Sequence, residues 1–470
     1  GSPLRIMRLT SAGQAAWHEL REGPVASRRT GLLARQLTDA GLVHPLPPGL
    51  PALPDATVVI PVRDRAVMLE RCLAALEGSY PVVVVDDGSA NPAAVAQVAA
   101  RHGARLIRRE VNGGPAAARN TALRCVTSDV IAFIDSDCAA SPGWIQRLAA
   151  HLADPLVAAV APRIAGSAAG TWAGQYTSIA SSLDLGDRAA RVLPRTQVSY
   201  VPTAALVARR AALLAAARDG EVFDEGMRIG EDVDLVWRLH EAGWRIRYDP
   251  AVQIAHHEPG TWPALLARRY RYGTSAAPLA LRHPGAVTHL VLYPWPAATV
   301  AAALARRPAA AAAAFTGSVL ATFQSLHRAD VPAQGTVRAM LGSVSQTWLG
   351  AGRYATQFAA PLLVTAIAAP GGRSAGQRWG RRAAAASLLL GPPLAAWAAS
   401  PLTLDPARFA LARIADDVSY GLGVWRGCLS ERTISPVRPV IGRHRLRIDA
   451  AARQALAAPD ARPDKDDNPR

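Results

Sequence analysis

The rhythm of apolar and polar positions divides the chain into three stretches. From Thr57 onward, short apolar runs (TVVIPV, VVVVDD, ARLIRR and VIAFIDSD) are each bounded by Pro, Gly or Asp. Val/Ile-rich runs without polar alternation predict strands buried on both faces of a parallel sheet. Between them, MLERCLAALEG, AAVAQVAARHG and PAAARNTALRCV repeat their apolar residues at helical spacing. Strand–helix alternation with right-handed crossovers predicts a doubly wound α/β domain over residues 55–284. Its ligand is expected at the carboxyl ends of the strands.

Residues 1–50 have a different rhythm. LRIMRL reads as extended, and AGQAAWHELREG and SRRTGLLARQLTDAGLVHP read as short amphipathic helices. Leu20, Leu32, Leu33 and Leu37 supply the apolar face, and Gly41 is placed to end the second helix. PLPPGLPALPD follows, and proline at that density makes a semi-rigid spacer that marks a boundary near residue 50.

Beyond residue 285 the chain turns alanine-rich, and an α-helical region is expected over 285–450. Arginines and prolines interrupt each apolar run, so none is a clean membrane span. One reading is a helical bundle packed on the α/β domain. The other, preferred slightly, is contact with a membrane surface, helped by flanking arginines and by Trp295, Trp348, Trp379 and Trp397. The tail, residues 451–470, contains PDARPDKDDNPR and is expected to be disordered.

A formal net charge of +16 suits anionic partners, but Lys465 is the one lysine and the arginines are spread along the chain. That distribution predicts no clustered recognition helix and hence no nucleic-acid partner. Cys72, Cys125, Cys138 and Cys428 have neither metal-ligand nor disulfide-framework spacing, which fits a reducing, cytoplasmic location.

Four acidic or glycine-rich stretches carry candidate chemistry. VVVVDDGSA puts Asp86 and Asp87 after a buried strand, where a carboxylate can accept the imide proton of a uracil; a helix N-cap is the plainer reading. FIDSDC ends another run, with Asp135 and Asp137 expected on one face of an extended chain. Converging carboxylates there suit a Mg²⁺ or Mn²⁺ ion shared with substrate phosphates. NGGPAAARN makes a glycine turn and a helix start carrying Arg119, a favourable place for a diphosphate. RIGEDVDLVW opens an amphipathic helix with Glu231, Asp232 and Asp234, and Asp232 is the candidate general base.

These stretches, in this order, resemble glycosyltransferase family 2, over about residues 55–275. The resemblance implies a GT-A fold and inverting, metal-dependent transfer of a hexose from a UDP-sugar. It implies Pro61, Arg63 and Asp87 at the nucleoside, Arg119 near the diphosphate, Asp135 at the sugar or ribose, and Asp137 on the metal. It further implies Asp232 as base, Glu231 as its acceptor-side partner, and His256 in IAHHEPGT as a metal ligand, with His257 as the neighbouring alternative. In place of the Gln-x-x-Arg-Trp of processive members, ARRYRYG offers Arg268, Arg271 and Tyr272 at the acceptor channel. The GSPLR start, HHEP-x-x-W, RYG and the alanine-rich C-terminal part also resemble the mycofactocin-system glycosyltransferases of actinobacteria. That likeness implies a glucose donor, a peptide-derived redox cofactor as acceptor, and a winged-helix-like, peptide-recognition N-terminal unit. Extension of a lipid-linked or cell-envelope glycan at the membrane is the competing activity.

Overall fold

The computed structural model describes residues 7, 9–76, 78–167, 170–327, 333–372, 374–400 and 404–442. Two helices, α1 (Ser11–Glu22) and α2 (Arg28–Ala40), form the N-terminal unit. The Thr10 hydroxyl caps α1, and Ser27 and Thr30 form a capping box on α2. Ala16, Leu33 and Leu37 close the hairpin, while Leu32 faces outward. This stretch holds no strand among the described residues, and most of LRIMRL lies outside them.

The apolar runs build a nine-stranded sheet: β1 (Ala56–Val62), β2 (Val82–Asp87), β3 (Arg105–Arg109), β4 (Val130–Ile134), β5 (Cys138–Ala140), β6 (Val157–Ser167), β7 (Ala190–Arg191), β8 (Ala205–Arg209) and β9 (Arg245–His257). The strand order is β3-β2-β1-β4-β8-β6-β9-β5, with β7 on β9. The first four strands are parallel, joined through α3 (Ala66–Ala74), α4 (Pro92–Arg101) and α5 (Pro115–Leu123). Both faces of β1 are covered: Val59 enters one apolar cluster, Val58 and Ile60 the other.

Beyond these four parallel strands, which the apolar runs predicted, the sheet is mixed. β8 runs antiparallel to both β4 and β6, and β5 antiparallel to β9. An apolar run reports burial, whereas direction depends on which strand it meets. The run ARLIRR is also not buried on both faces, because β3 is the sheet's edge and its residues are exposed or half-buried.

Helices α6 (Trp144–Ala149), α7 (Trp172–Ala180), α8 (Arg210–Ala215), α9 (Glu231–Glu241), α10 (Trp262–Thr274) and α11 (Ala276–Arg282) complete the GT-A-like domain. Beyond it lie α12 (Pro294–Leu304), α13 (Pro308–His327), α14 (Ala333–Ala368), α15 (Ala375–Ala398) and α16 (Pro406–Ser430). α16 lies along α10 so closely that a Cβ on Gly423 would meet the Tyr270 carbonyl oxygen. Buried pairs reinforce the join: Arg269 with Asp416, and the Tyr176 hydroxyl donating to Asp416 at 3.1 Å. The helices therefore form a bundle on the catalytic domain, and among the described residues no helix is long and apolar enough to cross a membrane.

The N-terminal hairpin docks at the start of β9, where Arg245 bonds Asp39 at 2.6 Å. His256 lies at the other end of that strand, on the order of 30 Å away at the usual rise per residue.

Candidate active site

The carboxyl ends of β1, β4 and β9 and the start of α9 open onto one cleft of about 2250 Å³. Asp135, Asp137, Glu231, Asp232, His256, Arg268, Arg271 and Tyr272, all singled out from the sequence, line it, as does Arg119. Pro61 and Arg63 do not; the lining passes to their neighbours Asp64 and Arg65, and Arg63 pairs with Asp64 instead.

Asp87, expected at the nucleoside, is held at the end of β2 by three donors. Its buried carboxylate accepts from Arg109 Nε at 2.9 Å and from the amides of Gly113 and Gly114 at 2.9 and 2.7 Å. Asp86, equally buried, accepts from Ser89 N and Arg108 Nη1. DDGS thus ties the end of β2 to the NGGP turn. Gly88 is required there: it has φ 73°, and a Cβ would lie 2.9 Å from Asn112 N.

Asp135 and Asp137 do not share a strand face. Residues 135–137 form a turn between β4 and β5, closed by Cys138 N donating to Asp135 O at 2.9 Å, so alternation along a strand does not apply. Asp135 turns to Arg119 Nη2, 2.7 Å away. Asp137 turns to Arg65 and, at 3.6 Å, to His256 Nε2.

Arg119 is buried at the wall of the cleft, and its second nitrogen, Nη1, bonds Glu231 at 2.9 Å. One guanidinium thereby joins the β4 turn to the first turn of α9. That helix starts at Gly230, with φ 88°, where a Cβ would stand 3.0 Å from Ser275 Cβ. Three acidic residues in the first turn suit the helix dipole, and Leu235, Val236 and Leu239 face the core as expected.

The three acids then take different roles. Asp234 is buried against Arg238 Nε at 2.7 Å and His283 Nε2 at 3.0 Å, and does not line the cleft. Burial lifts the Asp232 carboxyl above the ordinary carboxylate range, although the Arg119 charge and the amides of Val233 and Thr203 pull it back. Burial also raises Glu231, helped by the Asp232 charge and opposed by Arg119. A cleft-facing carboxylate of raised pKa can take a proton from a hydroxyl.

The end of β9 brings in a residue that the sequence reading passed over, Glu258. Antiparallel pairing sets His256 opposite Cys138, so that His257 donates its amide to Asp137 O at 2.8 Å while the His256 ring faces the Asp137 carboxylate. Behind the ring, Glu258 Oε1 lies 3.2 Å from His256 Nδ1; it also accepts from Ser181 Oγ at 2.6 Å, while Oε2 pairs with Arg268. Burial pushes the Glu258 carboxyl up, but the His256 hydrogen bond and charge, with Arg268 and Ser181, hold it down at about 2. Its signal was present in HHEP, directly after the histidines.

Among the described residues no three His, Cys, Asp or Glu side chains could hold a metal by themselves. Asp137 and His256 fit a different arrangement, in which the protein supplies two ligands and phosphate oxygens or water supply the rest. The carboxylate behind Nδ1 would leave Nε2 free to ligate, as it usually does for a metal-bound histidine.

Residues 57–213 match the family model described as Glycosyl transferase family 2. The chain is 37% identical over 458 residues to the "Pre-mycofactocin glycosyltransferase" of Mycobacterium tuberculosis, covering 94% of this chain and 93% of that one. It is 30% identical over 207 residues to the "Succinoglycan biosynthesis protein ExoU" of Rhizobium meliloti, 41% of this chain and 59% of that one. A solved mannosyltransferase from Pyrobaculum calidifontis, in complex with GDP-Man and Mn²⁺, aligns with TM-score 0.39 at 22% identity, over 67% of this chain and 94% of that one.

Proposed function

Because the chain belongs to glycosyltransferase family 2 and is therefore a glycosyltransferase, we propose that it moves a hexose from a UDP-sugar to a hydroxyl of pre-mycofactocin with inversion. The carrying observation is that Asp232, with its raised pKa, opens onto the same cleft as Asp137 and His256.

In this reading Asp232 removes the acceptor proton as the oxygen attacks the anomeric carbon, and one in-line displacement turns an α-linked donor into a β-linked product. Arg119 keeps Asp135 and Glu231 in register with the base. Asp137 and His256 would hold Mg²⁺ or Mn²⁺, which would supply positive charge to the departing diphosphate. The acceptor assignment rests on the whole-length relative, whose printed name specifies pre-mycofactocin. The decisive experiment incubates the protein with UDP-glucose, Mn²⁺ and pre-mycofactocin, and measures the product mass and anomeric proton coupling. A β-glucoside that disappears with chelator is expected; no product, or an α-linked one, overturns the reading.

A second reading concerns location. Leu362, Leu411 and Leu429 on α14 and α16 are 71%, 63% and 73% exposed, which favours contact with the inner face of the cell membrane. Flotation with anionic vesicles tests it: the wild type should float and a Leu411→Glu, Leu429→Glu double variant should not.

A further inference from the structure

The cleft is more than twice the size usual for one small-molecule site, about 300–1,000 Å³. It runs from Asp64 and Ala90 at the ends of β1 and β2, past Asp137 and Asp232, and on into the helical bundle. A donor whose diphosphate lies at Asp137 fills the sheet end. The lobe beyond Asp232 is walled by α12, α13 and α14, and the donor leaves it open.

Three features of that lobe point to a ligand. Trp295, at the start of α12, lines it and is 45% exposed. Its ring rests on α13 at Gly317, where a Cβ would stand 3.2 Å from the ring carbon Cζ3 and push the ring back by a few tenths of an ångström. Thr203, beside Asp232 and 1% exposed, has a hydroxyl without a hydrogen-bond partner among the described residues, and so does the buried hydroxyl oxygen of Thr288 further along. Buried hydroxyls without partners are uncommon and call for a polar group from elsewhere. Met340, whose sulfur accepts from Ser318 Oγ at 3.1 Å, gives the lobe an apolar floor.

We propose that this lobe is the acceptor site and that Trp295 is its specificity-determining platform. The flat apolar part of a small, ring-containing acceptor stacks on the indole. Hydroxyl or amide groups along its edge meet Thr288 and Thr203, which delivers the reacting hydroxyl to Asp232. This rests on the acceptor reading above, and adds that the C-terminal helices, not the N-terminal unit, recognise the acceptor.

The test uses the full chain with UDP-glucose and pre-mycofactocin, measuring acceptor KM, kcat and UDP affinity. Trp295→Ala should raise the acceptor KM about 3- to 10-fold, with UDP affinity unchanged, and Trp295→Phe should restore most of it. Ala321→Phe, which projects into the lobe from an exposed position on α13, should raise acceptor KM without disturbing folding. An unchanged acceptor KM in both Trp295→Ala and Ala321→Phe, in an active enzyme, overturns the inference alone. A wild type that makes no product from pre-mycofactocin overturns the acceptor reading and this inference with it.

Discussion

Arg119 Nη1 and Glu231 Oε1 meet at 2.9 Å, both buried, although 112 residues separate them in the chain. The same guanidinium bonds Asp135, so one cation bridges the acidic residues of two elements. Removing it leaves the buried Glu231 carboxylate, and the half-buried Asp135, without their cation, at about 3–5 kcal/mol. Arg119→Ala should lower urea-unfolding stability by that order and abolish turnover. Arg119→Lys, one charge without the fork, should recover part of the stability and little of the rate.

Asp232→Asn keeps size and helix start but cannot take a proton. Its kcat should fall about 10²- to 10⁴-fold while calorimetric UDP affinity stays near wild type. Near-normal transfer would move the base to Glu231, since Asp234 is engaged by Arg238 and His283.

The raised pKa of Asp232 also sets a pH dependence. The base works deprotonated, so kcat should rise with pH through that raised value, with its acid limb above the ordinary carboxylate range. Stability runs the opposite way: a carboxyl whose folded pKa exceeds its unfolded one contributes at low pH, and that contribution is lost as pH rises through the folded value. A kcat profile with its acid limb at ordinary carboxylate pH would contradict this placement.

Glu258→Gln retains bulk but removes the charge that orients the His256 ring. Mn²⁺-dependent UDP binding should weaken about 10- to 100-fold, with metal-independent binding unaffected. Equal loss of both would show that Glu258 supports the fold through Arg268 and not the metal.

Asp39→Asn breaks the contact of the N-terminal hairpin with Arg245, on the order of 30 Å along β9 from His256. Burial raises the Asp39 carboxyl above its ordinary value despite the Arg191 and Arg35 charges, so stability should move by less than about 1 kcal/mol, read as a nearly unchanged Tm, with kcat and acceptor KM unchanged. A raised acceptor KM would return the N-terminal unit to the role of recognition module.

The sequence by itself determined the elements and the inventory. Apolar runs placed β1, β2 and β4, helical spacing placed the crossovers between them, and the acidic clusters marked the chain segments that meet in the cleft. These are local properties, set by period and residue type. The tertiary structure decided direction and partnership. An antiparallel β8 looks like any other apolar run until it pairs with β4, and a turn at residues 135–137 sends two neighbouring aspartates to different partners. Asp87 was given to the glycine turn, Arg119 to two carboxylates, and His256 to Asp137 through the β5–β9 pairing. Hydrogen-bond and charge partners are chosen across more than a hundred residues by how strands register and helices pack, and no local pattern carries that choice.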